Sequence, residues 1–190
     1  MMSKRNRGAR SLADLIRERR TIRQFRSDPV PPEELQEILQ TAIWAPFHNQ
    51  KEPWRFILVY GNGRQRVIKL ALQAYSHLPE AGLKALEQYL QTIPVYLFVI
   101  MEESNQRRQW EDDLCATSAL IHNIQLLAWE KEIGMVWKTY DDEVIQPIKA
   151  ELGIREQEKV VGLLLIGYFD QVPRAKERTP LNEILTIWND

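Results

Sequence analysis

The run Val161-Gly162-Leu163-Leu164-Leu165-Ile166-Gly167-Tyr168 places apolar side chains on consecutive residues. Neighbours along a strand point to opposite faces, so this run describes a central strand buried on both sides. A strand of that kind needs a layer of structure on each face of its sheet. The chain marks three further strands. Trp54 to Tyr60 is rich in β-branched and aromatic residues and is followed by the turn Gly61-Asn62-Gly63. Val95 to Met101 opens after Pro94, and Met135 to Thr139 is short, while the buried run itself extends from Lys159 to Tyr168.

Helical patterns fill the intervals. Ser11 is a candidate N-cap for a helix carrying Leu12, Leu15 and Ile16 on one face. After Pro29-Val30-Pro31-Pro32, a second helix sets Leu35, Ile38, Leu39, Ala42 and Ile43 on its apolar side and stops before Pro46. Residues 64–74 and 80–91 read as two more. The longest pattern spans roughly Trp110 to Ile133, with Gly134 in the position of a helix-ending C′ glycine. Residues 143–152 form a short helix closed by Gly153. Few strands separated by much helix describe one α+β domain. A length of 190 residues suffices for one well-buried core and is short for two. We therefore expect a flexible basic tail at residues 1–10 and a single domain over 11–190. The polar stretch after Asp170 gives way to Leu181–Trp188, apolar enough to pack on something.

Several function classes are disfavoured. A net charge of -1 supplies no field to attract nucleic acid or an anionic membrane. The apolar runs are too short to span a bilayer, and no signal-peptide core follows the basic start, so a cytoplasmic protein is expected. Cys115 is the single cysteine, which excludes an internal disulfide. Its neighbours Ala116, Thr117, Ser118 and Ala119 are small, and we read it as a packed, inert thiol. His48, His77 and His122 lack partners at ligand spacing, so no metal site is expected. No Gly-x-Gly-x-x-Gly follows a strand.

Two stretches carry candidate chemistry. Arg19-Arg20-Thr21-Ile22-Arg23-Gln24-Phe25 gathers three arginines where the first helix ends. Two readings fit it: basic side chains complementing a helix dipole, or guanidinium forks and a hydroxyl placed to hold a phosphate. Arg19, Thr21 and Arg23 alternate, so an extended backbone would aim all three one way. The second stretch runs Ala45-Pro46-Phe47-His48-Asn49-Gln50-Lys51-Glu52-Pro53-Trp54. It sets five hydrogen-bonding side chains in a row between two buried elements, suited to the edge of a heteroaromatic ring.

The first stretch resembles the Arg-Arg-Ser-x-Arg-x-Phe opening of the FMN-dependent nitroreductase family. The second resembles that family's Ala-Pro-Ser-x-x-Asn-x-Gln-Pro-Trp loop. Gly134-Met135-Val136-Trp137-Lys138-Thr139, Val161–Tyr168 and Arg178-Thr179-Pro180-Leu181-Asn182-Glu183-Ile184 are similar to three further family elements, in the same order. The short, YdjA-type members share the Ala-Pro-x-His loop and an element like Trp110-Glu111. They carry Trp-Arg-Ser where this chain has Trp137-Lys138-Thr139.

The resemblance implies a small, mostly antiparallel sheet flanked by helices, in a homodimer with FMN at its interface. It implies that Arg19, Arg20, Thr21, Arg23 and Arg178 hold the phosphate and ribityl chain. Trp137, Lys138 and Thr139 would line the isoalloxazine, and Trp44, His48 and Gln50 would reach it from the other subunit. NAD(P)H would act as transient reductant, passing a hydride through the flavin to a nitroaromatic or quinone in a ping-pong cycle. No side-chain nucleophile is implied, and Lys138 would tune the flavin electrostatically. Two alternatives share the cofactor: small-substrate dehydrogenation or reductive dehalogenation, and a flavin-binding sensor or carrier with little turnover. The chain departs from the pattern at Phe47 and Gln50, where many members have Ser and Asn. Lys138 keeps the charge of the short members' Arg without its bidentate fork.

Overall fold

The structure, a computed structural model, describes residues 10–189, apart from the side chains of Asp142 and Glu143. The basic tail expected at 1–10 therefore lies, except for Arg10, outside the described residues. In chain order the elements are α1 (Leu12–Glu18), α2 (Pro32–Ala42), β1 (Trp54–Tyr60), α3 (Gly63–Ala74), α4 (Glu80–Gln91), β2 (Val95–Glu102), α5 (Arg107–Glu130), β3 (Ile133–Lys138), α6 (Asp142–Glu151), β4 (Glu158–Tyr168) and α7 (Leu181–Ile184).

The four strands form one sheet in the order β1-β2-β4-β3, antiparallel throughout. β4 is interior, as its apolar run requires. Val161, Leu164 and Ile166 face α2 and α5 with Val95, Leu97, Val99 and Met101 of β2. Leu163 and Leu165 face α3, α4 and α6 with Tyr96, Phe98 and Ile100. The core is thus two apolar layers sharing one sheet, and each strand contributes to both by alternation.

Two departures from the sequence reading have clear causes. Helix α5 begins at Arg107 and ends at Glu130, and Gly134 is not its cap but a residue of β3 paired with Gly167. The left-handed residue after the helix is Glu132, at φ 60°. Gly134 serves close approach instead: a Cβ there would lie 2.7 Å from Phe169 Cδ1 and 2.8 Å from Ile22 Cβ. Cys115, expected to be packed, is exposed. The buried stripe of α5 runs through Asp113, Ala116, Thr117, Leu120, Ile121 and Ile124, and Cys115 falls on the opposite side of the wheel. The tail from Asp170 to Asn189 is exposed along its whole length, so Leu181–Trp188, expected to pack, stays exposed among the described residues.

Candidate functional site

Helix α1 is closed at both ends by its own sequence. Asp14 N–H donates to Ser11 Oγ at 3.2 Å, and Asp14 Oδ2 accepts from Ser11 N–H at 3.3 Å, a capping box. At the other end Arg20 folds back, its Nη1 donating to Arg17 O at 2.6 Å and to Arg19 O at 2.9 Å. Arg20 is thereby largely committed to the helix terminus, although its Nε is buried without a partner. The chain then runs beside β3: Ile22 N–H donates to Met135 O at 3.0 Å and Thr21 forms a parallel bridge to Met135. Ile22 is buried among Leu15, Leu126 and Trp129 and acts as the anchor, so its neighbours Thr21 and Arg23 sit at the sheet edge.

Arg19 is half-buried, and burial, Arg20 and Arg178 together hold its pKa below the usual guanidinium range. Arg178 comes from the exposed tail, so the structure does bring the two distant arginines within electrostatic reach. Partial desolvation, joined by the Arg19 charge, likewise lowers the His122 pKa on α5. Among the described residues none of Arg19, Arg20, Arg23 and Arg178 forms an ion pair. Arg19 thus has Arg20 and Arg178 within electrostatic reach and no carboxylate paired to it among the described residues, whereas Arg23 lies within reach of Tyr89 on α4.

At the end of β3, alternation separates two of the candidates. Trp137 turns toward the α5 layer, its Nε1 donating to Val161 O at 3.1 Å across Gly162, where a Cβ would collide with the indole. Lys138 turns to the other face and borders a cavity of about 150 Å³ with Tyr75, Tyr89, Tyr96 and Tyr140. Burial, reinforced by Tyr75 and Tyr89, pushes the Tyr140 hydroxyl up to about 12. Lys138 has no ion-pair partner among the described residues, and Thr139 is exposed.

The remaining candidates lie elsewhere. Trp44 is 87% exposed at the end of α2, and His48 and Gln50 are exposed in the loop that enters β1. That loop is held by Phe47 set edge-on against Trp54, with ring centroids 5.7 Å apart, and by Asn49 Nδ2 donating to Asp113 Oδ1 at 2.8 Å. Asn49 is among the loop's five hydrogen-bonding side chains in the sequence reading, which misses its partner Asp113; the available signal there was a carboxylate on the buried stripe of α5. In the sheet order the loop leads into one edge strand, whereas the arginine stretch borders the other. Three strand spacings of about 4.8 Å put the two edges roughly 14 Å apart. Along α5, nine residues separate Asp113 from His122, also roughly 14 Å. The arginine stretch and the loop carrying His48 and Gln50 therefore form separate surfaces of one chain, whereas the end of α2 before Trp44 lies against Asn123 of α5, whose Nδ2 donates to Ala42 O at 3.4 Å.

Among the described residues no cluster of His, Cys, Asp and Glu could hold a metal, and no helix is long and apolar enough to cross a membrane. Comparison with known proteins gives a consistent picture. The family model described as Nitroreductase family matches residues 16–168. A proposed NAD(P)H nitroreductase of Bacillus subtilis (strain 168), YfhC, is 39% identical over 184 residues, covering 92% of this chain and 93% of that protein. YdjA of Escherichia coli (strain K12), also a proposed NAD(P)H nitroreductase, is 27% identical over 175 residues, covering 89% and 92%. A nitroreductase-like protein from Bacillus cereus superposes with a TM-score of 0.85 at 35% identity, covering 95% of this chain and 97% of that one. A proposed nitroreductase from Desulfovibrio desulfuricans, solved in complex with FMN, shares the fold with a TM-score of 0.71 at 23% identity, covering 93% and 96%.

Proposed function

Because the chain belongs to the nitroreductase family, we propose that it is an FMN-dependent oxidoreductase working as a homodimer. In this reading it moves a hydride from NAD(P)H to an electron-poor acceptor such as a nitroaromatic or a quinone, in a ping-pong cycle. The observation that carries the reading is Arg19 half-buried with Arg20 and Arg178 in electrostatic reach and no carboxylate paired to them among the described residues, at a sheet edge remote from the hydrogen-bonding loop. Like charges held together in partly buried surroundings are stabilised by an anion such as a phosphate, so the residues present fit the FMN phosphate. When bound, FMN supplies the two-electron chemistry.

The chain's own residues bind, orient and tune. Arg19, Arg23 and Arg178 meet the phosphate, with the Thr21 hydroxyl beside them, and Arg20 chiefly fixes the backbone that presents them. Trp137 has its N–H engaged by Val161 and contributes its ring and backbone rather than a donor. Lys138, with no ion-pair partner among the described residues, would offer its charge to negative charge on the bound flavin, and Thr139 would offer a hydroxyl. A single copy cannot close the site, since the loop carrying His48 and Gln50 leads into the other edge strand, so the partner copy's loop completes it, with that copy's exposed Trp44 beside it. The exposed Trp44, Leu12, Ile16 and C-terminal segment supply apolar surface for that contact. In the same reading the enzyme is cytoplasmic, where an NAD(P)H pool is at hand.

The test is direct. The purified protein should be a yellow dimer that NADH or NADPH bleaches in the absence of oxygen and that a nitroaromatic or quinone recolours. A colourless protein that gains no FMN on reconstitution overturns the reading. A yellow protein that neither nicotinamide bleaches would instead be a flavin carrier or sensor.

A further inference from the structure

The loop from Pro46 to Pro53 has little to hold it. Among the described residues it makes no backbone hydrogen bond outside the sheet, and every residue from Pro46 to Glu52 is exposed. Beside it lies an open polar cavity of about 490 Å³, bordered by Asn49, Lys51, Trp54, Glu103, Asn105 and Asp113 among others. Packing on that side is therefore absent. The Phe47–Trp54 contact fixes where the loop begins and ends, but leaves residues 48–52 free to turn.

Asp113 supplies what is missing. It is a carboxylate only 5% exposed on the apolar stripe of α5, where an alkyl side chain would ordinarily sit. A buried carboxylate is retained at a cost unless it is hydrogen-bonded. Its side-chain partner among the described residues is Asn49 Nδ2, at 2.8 Å and 64 residues away in sequence. Asn49 stands directly between His48 and Gln50. Drawing its amide inward onto a rigid helix leaves those two side chains facing outward, as a site completed by a second copy requires.

We propose that Asp113 is a positioning residue: through Asn49 it presets the loop that carries His48 and Gln50, so FMN meets an ordered wall and not a mobile one. The inference rests on the functional reading above. Preorganisation lowers the ordering cost of binding, so loss of the pair appears as lost affinity and not only as lost stability.

The experiment measures the FMN dissociation constant by flavin fluorescence, well below the unfolding temperature, for wild type, Asn49→Ala, Asp113→Ala, the double variant and the exchange Asn49→Asp/Asp113→Asn. Each single variant should weaken binding about tenfold or more, the scale of a hydrogen bond to a charged group. The double variant should be no worse than either single one, and the exchange, which re-forms the pair with donor and acceptor reversed, should recover most of the loss. Should Asp113→Ala fail to fold, Asn49→Ala, at an exposed position, carries the test. Single variants that bind FMN like wild type, or a double variant whose loss is the product of the two, overturn the proposal. Backbone ¹⁵N relaxation of residues 47–52 in FMN-free protein separates the two readings. If wild type takes up no FMN, the functional reading fails. Loosening of this loop in Asn49→Ala then supports the anchor, and unchanged order parameters overturn it.

Discussion

Arg19 and Arg178 carry the same charge and are nevertheless held within reach of each other, and Arg19 also within reach of His122. Their mutual repulsion is a fixed cost of the fold that an anion removes. Arg19→Ala should leave a folded protein whose FMN affinity falls by about ten- to a hundredfold, the range of charge-assisted bonds, read by equilibrium dialysis. His122 reports the same field. In the folded protein its pKa is lowered, so the unfolded chain binds the extra proton and the imidazole contributes stability that declines as pH falls through its ordinary value of 6.5. Removing the Arg19 charge should raise that pKa, and phosphate binding should raise it further; an NMR titration of the ring measures both. Lys138→Ala should lower the flavin midpoint potential and slow reduction by NAD(P)H, measured by spectroelectrochemistry and anaerobic stopped flow. The residue types at the site were legible because Arg19, Thr21 and Arg23 alternate and His48 sits in a polar loop between buried elements. Their commitments were not: that Arg20 caps its own helix and Trp137 donates to Val161 are facts of geometry that no spacing encodes.

Among the elements, β1 and β4 are tied across β2 by a clasp. Glu158, only 2% exposed, accepts from Arg55 Nε at 2.6 Å and Nη2 at 2.8 Å, from Arg155 N–H at 2.8 Å and from Arg155 Nη2 at 3.0 Å. Its own carbonyl accepts from the buried Lys149 Nζ at 2.7 Å. Hydrogen bonds from Arg55, against the opposing effect of burial and joined by those from Arg155, hold the Glu158 carboxyl well below the usual carboxylate range. The resulting stability is complete above the ordinary value of 4.5 and is lost as pH falls toward the lowered one. Glu158→Gln should cost about 1–2 kcal/mol at neutral pH, since the Arg55 and Arg155 side chains reach solvent, and its urea midpoint should decline less on acidification than that of wild type. Gly134→Ala should cost about 1–3 kcal/mol by overpacking against Ile22 and Phe169, and should displace Thr21 from β3 with a parallel loss of FMN affinity. The strands were legible because β-branched and aromatic runs end at Gly and Pro. The end of α5 was misread because a glycine followed the apolar pattern at the usual distance, while Glu132 took the left-handed turn. The clasp was invisible, since Arg55 and Glu158 lie 103 residues apart.

At the scale of the molecule, the sheet sets the two candidate surfaces at opposite edges, and the C-terminal segment, with Trp188 88% exposed, extends over neither core layer. The family pattern was readable as five ordered pieces, but their assignment to two separate faces emerges only from the strand order β1-β2-β4-β3. In the proposed dimer, flavin binding and association are linked, so FMN affinity should fall on dilution toward the monomer, as sedimentation with flavin absorbance would show. The separation of the two edges also has a genetic consequence. An Arg19→Ala chain lacks one wall and a His48→Ala/Gln50→Ala chain lacks the other, so neither forms an intact site alone. Co-expressed, they pair at random, and each mixed dimer gathers both lesions into one cleft and leaves its twin unblemished. About a quarter of the clefts should then be whole, and two silent alleles would together turn a culture's extract yellow.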